Sequence, residues 1–147
     1  MYRMRKMFTR KELISTLLAV LSVLLLCACG SNVASDAESE IGNMVDGYYQ
    51  ISQIKAKELM ESEKDYIILD VRTEEEFKEK HIENAILIPH TEIEQRAEKE
   101  LTDKNQLILV YCRSGNRSKT ASKILAQLGY TNVMEFGGIN NWAYGTV

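Results

Sequence analysis

The alternation of apolar runs and helical patterns along this chain predicts an α/β fold built on a parallel sheet. Three observations carry that reading. "YIILD" and "QLILVYC" are continuous apolar runs, the pattern of strands buried on both faces. Single amphipathic helical patterns separate the strand candidates, as parallel connections require. Asp70 and Cys112 fall at the carboxyl ends of those two runs, the edge at which parallel sheets place ligands.

The elements follow in order. "YYQIS" is a short strand candidate, after which Ser52 caps a helix over "QIKAKELMESE" with Ile54 and Leu59 facing inward. "YIILD" is the first buried strand. Thr73 followed by Glu74, Glu75 and Glu76 forms a helix start, since carboxylates favour the positive end of the helix dipole. "AILIP" is a short strand closed by Pro89, and "TEIEQRAEKEL" an amphipathic helix on the face of Ile93, Ala97 and Leu101. "QLILVYC" is the strongest strand. Ser118 to Leu128 reads as a helix stopped by Gly129. "NVMEF" is a last strand, and "GGINNWAYG" turns into a short closing helix.

Ahead of these elements the chain has a different character. Arg3, Arg5, Lys6, Arg10 and Lys11 precede an apolar stretch from Leu13 to Leu26. Its length as a helix, about 21 Å, falls short of the ~30 Å hydrocarbon core, so it suits a secretory signal better than a spanning helix. "LLLCACGSN" resembles the lipobox of bacterial lipoproteins, which implies cleavage after Ala28 and a diacylglycerol on Cys29. The expected organisation is a signal peptide over 1–28, a small, polar, acidic flexible tether over 29–47, and a folded domain over 48–147. The expected location is the extracytoplasmic face of a membrane, held by lipid.

Processing at that point determines the cysteine inventory and the charge. Of three cysteines, Cys27 leaves with the signal and Cys29 is alkylated, so Cys112 remains as the lone thiol. A lone thiol in an exported protein suggests reactivity rather than a disulfide. The net charge of −3 becomes about −7, with 13 basic against 20 acidic residues. An acidic domain is a poor partner for nucleic acid. No cofactor or metal is expected, and a monomer is.

The chemistry concentrates in "CRSGNRS". So short a polar segment must curl over the strand end, and Gly115 permits the positive φ that such a curl needs. Its N–H groups then converge as an anion-binding nest at a helix start. A thiolate there is stabilised by those dipoles and by Arg113 and Arg117, which makes Cys112 a nucleophile at neutral pH. The plainer alternative for a strand-terminal Cys is core packing; the arginine pair, the Gly and the helix start favour reactivity.

With these residues in view the chain resembles the rhodanese-homology family. "ILDVRTEEEFKEKHIENAILIP" is similar to the family's Asp-Val-Arg segment, "YCRSGNRS" to its active-site loop, and "FGGINNWAYG" to its closing turn. The resemblance implies a five-stranded parallel sheet with helices on both faces, and sulfane-sulfur transfer through a cysteine persulfide. It makes Cys112 the sulfur carrier. Arg113, Ser114, Gly115, Asn116, Arg117 and Ser118 become the loop that binds substrate, with Asp70 and Arg72 in support. It implies a small sulfur donor such as thiosulfate and a thiol or cyanide acceptor. His81 is expected to be structural and Trp142 a core or pocket-wall residue. Lys80 and Asn84 replace glycines common around the His-Ile turn, and Glu76 stands where some thiosulfate-specific members carry a basic residue.

Two other readings compete. Phosphatases and arsenate reductases of the same fold carry Cys-(five residues)-Arg, whereas here the sixth residue after Cys112 is Ser118 and Arg117 comes one position early. A non-catalytic or redox-sensing binding module is the second. Inactive members commonly lack the Cys, which this chain keeps, and no second thiol is available for a dithiol cycle.

Overall fold

A computed structural model describes residues 42–147. The expected signal segment, Cys29 and the tether up to residue 41 lie outside the described residues. The elements are β1 (Asn43–Val45), β2 (Tyr48–Gln50), α1 (Gln53–Ser62), β3 (Tyr66–Asp70), α2 (Glu74–Glu79), β4 (Ile86–Leu87), α3 (Ile93–Glu100), β5 (Leu107–Cys112), α4 (Asn116–Gln127), β6 (Val133–Gly138) and a 3₁₀ turn (Ile139–Asn141).

The sheet order is β1-β2-β6-β5-β3-β4, with every pairing parallel except β1 against β2. Six strands rather than five therefore make the sheet, and it is mixed. The added strand also moves the start of the fold into the segment expected as tether. Asp46 and Gly47, at φ +51° and +87°, make the two-residue Asp-Gly turn that joins strands of matching twist. β1 is exposed throughout, so it is held by backbone pairing and leaves no apolar signature.

β5 is central and buried at every residue. Its alternation divides the core in two. Ile108, Val110 and Cys112 face α3 and α4, packed with Ile93, Ala97, Ala121 and Leu125. Leu107, Leu109 and Tyr111 face the α1 side, with Ala56, Phe136 and Ile139. Helices thus cover both faces, and the Ile93–Ala97–Leu101 stripe is buried as its spacing predicts. In α1 the expected face is corrected: Ala56 is the buried residue and Ile54 is 63% exposed. Leu59 does pack inward, with Met60 beside it.

Local signals place the helix ends. Thr73 forms a full capping box with Glu76, and Ser52 Oγ accepts from Lys55 N. α4 starts at Asn116, two residues before the predicted start, because Gly115 at φ +102° already serves as its N-cap. Asn84 stands at φ +64°, a left-handed position that Asn tolerates better than most residues. Lys80 at φ −168° needs no glycine.

Candidate active site

The site is built where β5 ends and α4 begins. Cys112 is the last residue of β5 and is fully buried, and the following residues curl around its sulfur. Gly115 N donates to Cys112 Sγ at 3.1 Å. Burial pushes the thiol pKa up, but the Ser118 hydroxyl and amide, then the Gly115 and Ser114 amides, outweigh it and hold the value below that of an ordinary thiol. The nest expected from the loop is therefore present, and hydrogen bonds are its leading contribution. The arginines do not lead: Arg113 is exposed, and Arg117 is turned to another partner.

That partner is Glu76. Arg117 Nη1 and Nη2 donate to the two carboxylate oxygens at 2.6 and 2.8 Å, a bidentate pair between the first turns of α2 and α4. The Arg117 bonds hold the Glu76 carboxyl at about 2, well below the usual carboxylate range. Beside the pair lies a cleft of about 270 Å³ lined by Arg72, Glu76, Glu79, Lys80, Arg113 and Asn140. Among the described residues, neither Lys80 nor Arg113 belongs to an ion pair.

Asp70 and Arg72 form a second, buried pair. Arg72 Nη2 donates to Asp70 Oδ2 at 2.6 Å and to Lys80 O at 2.6 Å, while Arg72 Nε and N also reach the Asp70 carboxylate. Burial works against the Arg72 charge, and the Asp70 bonds more than offset it, so its pKa rises. Tyr111 joins the group: its hydroxyl accepts from Ile82 N at 3.1 Å, and burial followed by Asp70 raises its pKa. Asp70 thus supports Arg72, and both tie the end of β3 to the turn after α2.

Gly138 fixes the loop from the other side. Cys112 pairs with Gly138 across the sheet, next to an irregularity in the β5–β6 ladder. A Cβ at Gly138 would stand 2.6 Å from Ser114 Cα and would also collide with Arg113 O, so the loop backbone rests directly on this glycine. Gln53 Nε2 braces the same residue, donating to Gly138 O at 2.8 Å.

The remaining predicted residues take quiet places. Asn116 is exposed at the first position of α4. His81 stacks on Phe77 with ring centroids 3.9 Å apart, and its Nδ1 lies 2.9 Å from Phe77 O. Trp142 packs on Phe136 and lines a separate cavity of about 300 Å³ with Met60, Tyr66 and Ile82. That cavity contains none of the loop residues.

Two functional groups escape sequence reasoning. The Glu76–Arg117 pair spans 41 positions, and no local pattern links its halves. Glu135 is buried beneath the loop, where its Oε1 accepts from Ser118 Oγ at 2.6 Å and from Gly137 N at 2.8 Å. Its one sequence signal is an acid standing at an inward position of "NVMEF".

Comparison with known proteins identifies the family of the fold. The chain belongs to the rhodanese-like domain family, whose sequence model matches residues 52–144. It is 39% identical over 75 residues to the thiosulfate sulfurtransferase PspE of Escherichia coli, covering 51% of this chain and 72% of that protein. It is 34% identical over 96 residues to the thiosulfate sulfurtransferase GlpE of Coxiella burnetii, covering 65% of this chain and 87% of the relative. Among solved structures, a rhodanese with anions from E. coli superposes with a TM-score of 0.53 at 36% identity, over 56% of this chain and 96% of that one. A rhodanese-related protein from Thermoplasma volcanium superposes with a TM-score of 0.59 at 32% identity, over 68% and 98%.

Proposed function

We propose that this protein is an exported, membrane-anchored sulfurtransferase that carries sulfane sulfur as a persulfide on Cys112. The observation that carries the reading is the cysteine sulfur held by the Gly115 amide and Ser118 at the start of α4, with its pKa lowered. Lowering the pKa enlarges the thiolate fraction of Cys112, and the thiolate is the nucleophile. The thiosulfate sulfurtransferases among the relatives support the reaction class.

The transfer has two steps. The Cys112 thiolate attacks the outer sulfur of a donor such as thiosulfate; a new S–S bond forms, the donor's S–S bond breaks, and sulfite leaves with the electron pair. A thiolate or cyanide acceptor then attacks the outer sulfur of the persulfide, and Cys112 departs as the thiolate again. The loop amides stay aimed at the sulfur through both steps, so the charge is met by dipoles already in place. The charges of Arg113 and Lys80 on the adjoining cleft attract an anionic donor. Glu76 neutralises Arg117, which weakens that attraction and favours a donor of lower charge than thiosulfate. The Leu26-Cys27-Ala28-Cys29 sequence supports the lipid anchor.

Mass spectrometry tests the reading. Incubation with thiosulfate should add the mass of one sulfur atom at Cys112, and cyanide should remove it as thiocyanate. Cys112→Ser should produce no thiocyanate; turnover retained in that variant overturns the assignment.

A further inference from the structure

The cavity at Trp142 lies apart from the Cys112 loop and has no task in the transfer just described. It holds about 300 Å³, the lower end of the range of about 300–1,000 Å³ over which pockets take small ligands. Ile68 and Ile82 are buried and give it an apolar lining, to which Tyr66, Trp142 and Tyr144 add three aromatic rings. The rings of Trp142 and Tyr144 have centroids 4.9 Å apart and planes at 69°, so they make a corner rather than a stack. The indole N–H is already committed, since Trp142 Nε1 donates to Gly145 O at 3.0 Å. Trp142 therefore has π surface, and no free donor, to offer a guest. The two walls of the cavity are tied to each other: His81 and Val147 exchange two backbone hydrogen bonds of 2.9 Å. Asn84, at φ +64°, turns the chain beside Glu83 in the nearer wall.

The charged residues of the lining differ in what answers them. Lys57 Nζ pairs with Glu61 at 3.0 Å. Glu83 is exposed and, among the described residues, belongs to no ion pair. Lys57 and Glu61 cancel, which leaves the Glu83 carboxylate as the uncompensated charge of this cavity. We propose that the cavity binds a quaternary ammonium ligand of the size of choline, held by the three aromatic rings and by Glu83. Aromatic faces attract a cation through the ring quadrupole, and tryptophan does so best. An ordinary ammonium carries three N–H donors and loses their water on entering an apolar site. A quaternary ammonium has no N–H and presents its charge through methyl groups, so it suits an aromatic and aliphatic lining with one carboxylate at its edge. The proposal is separate from the cleft at Arg113 and rests on no property of Cys112.

The test follows the fluorescence of Trp142, the one tryptophan of the chain. Titration of the full-length protein with choline should change it saturably, and sodium chloride at equal ionic strength should not. The neutral isostere of choline, with carbon in place of nitrogen, should bind at least about 10-fold more weakly. Glu83→Gln removes the charge and should weaken choline by about 3- to 10-fold. Tyr144→Leu removes one ring and should weaken it by a similar factor, about 3- to 10-fold. Both substitutions fall at exposed positions, so the fold tolerates them. Vesicles distinguish the source of the ligand. A response to choline alone assigns a soluble ligand, whereas one to choline and to phosphatidylcholine vesicles, but not to phosphatidylglycerol vesicles, assigns a lipid headgroup. Equal affinity for choline and its neutral isostere overturns the proposal, as does choline affinity left unchanged in either variant. The absence of both a fluorescence change and NMR saturation transfer from the protein to the choline methyl protons overturns it as well.

Discussion

Replacing Glu76 with Gln separates the stability of the loop from its preference for donors. Gln at this position can keep the capping-box bond to Thr73 N, so the change removes chiefly the ionic part of the pair with Arg117. The carboxyl lies at about 2 in the fold against an ordinary 4.5, which at about 1.36 kcal/mol per unit sets a ceiling of about 3.4 kcal/mol. Side-chain exposures of 23% for Glu76 and 26% for Arg117 bring solvent screening, which reduces the expected loss to about 1–2 kcal/mol. Because the folded value is depressed, this stability is present above pH 4.5 and is lost as pH falls through about 2. Urea unfolding at pH 7 should show the Gln variant's midpoint lower by roughly 1 M, for a slope of about 1–2 kcal/mol per M. The gap between variant and parent should close as the pH approaches 2. Releasing Arg117 should also raise kcat/KM for thiosulfate by about 5-fold, the value of about 1 kcal/mol of recovered attraction in a half-exposed site. An unchanged midpoint at pH 7, or a gap that persists in acid, would refute the assigned role of the pair. A fall in thiosulfate kcat/KM would show that Glu76 assists the anionic donor.

Three further outcomes follow from the same geometry. Gly138→Ala should displace the Arg113–Ser114 backbone, costing about 1–3 kcal/mol in a urea titration and at least about 100-fold in persulfide formation; near-parent kinetics would show that the loop does not rest on this glycine. The domain should hydrolyse aryl phosphates negligibly, since Arg117 precedes the position from which phosphatase relatives present theirs and is held by Glu76; a kcat/KM for the phosphate above that for thiosulfate would overturn the sulfurtransferase reading. Cys29→Ala should leave unprocessed precursor or release the protein from membranes, and a variant that fractionates and migrates like the parent would exclude the lipid anchor.

Where function depends on neighbours along the chain, the sequence by itself determined the result. The run "LILVYC" demanded a buried strand, Gly115 demanded the left-handed turn, and Thr73 with Glu76 demanded a capped helix; each is a relation within six residues. Together they place Cys112 in a nest of amides before any tertiary contact is considered. The Asp46-Gly47 turn falls in the segment read as tether, because the exposed strand it serves has no apolar pattern to announce it. Only the tertiary structure decided which charges meet. Sheet order brings β6 beside β5 and so carries Glu135 beneath Ser118, across 17 positions of sequence. The approach of α2 to α4 withdraws Arg117 from the sulfur and gives it to Glu76. The rotation of α1 exposes Ile54 and buries Ala56. Local pattern fixes backbone conformation because dihedral preferences and hydrogen bonds act over a few residues. Charge pairing depends on distance in space, which only the crossovers and packing of the sheet establish.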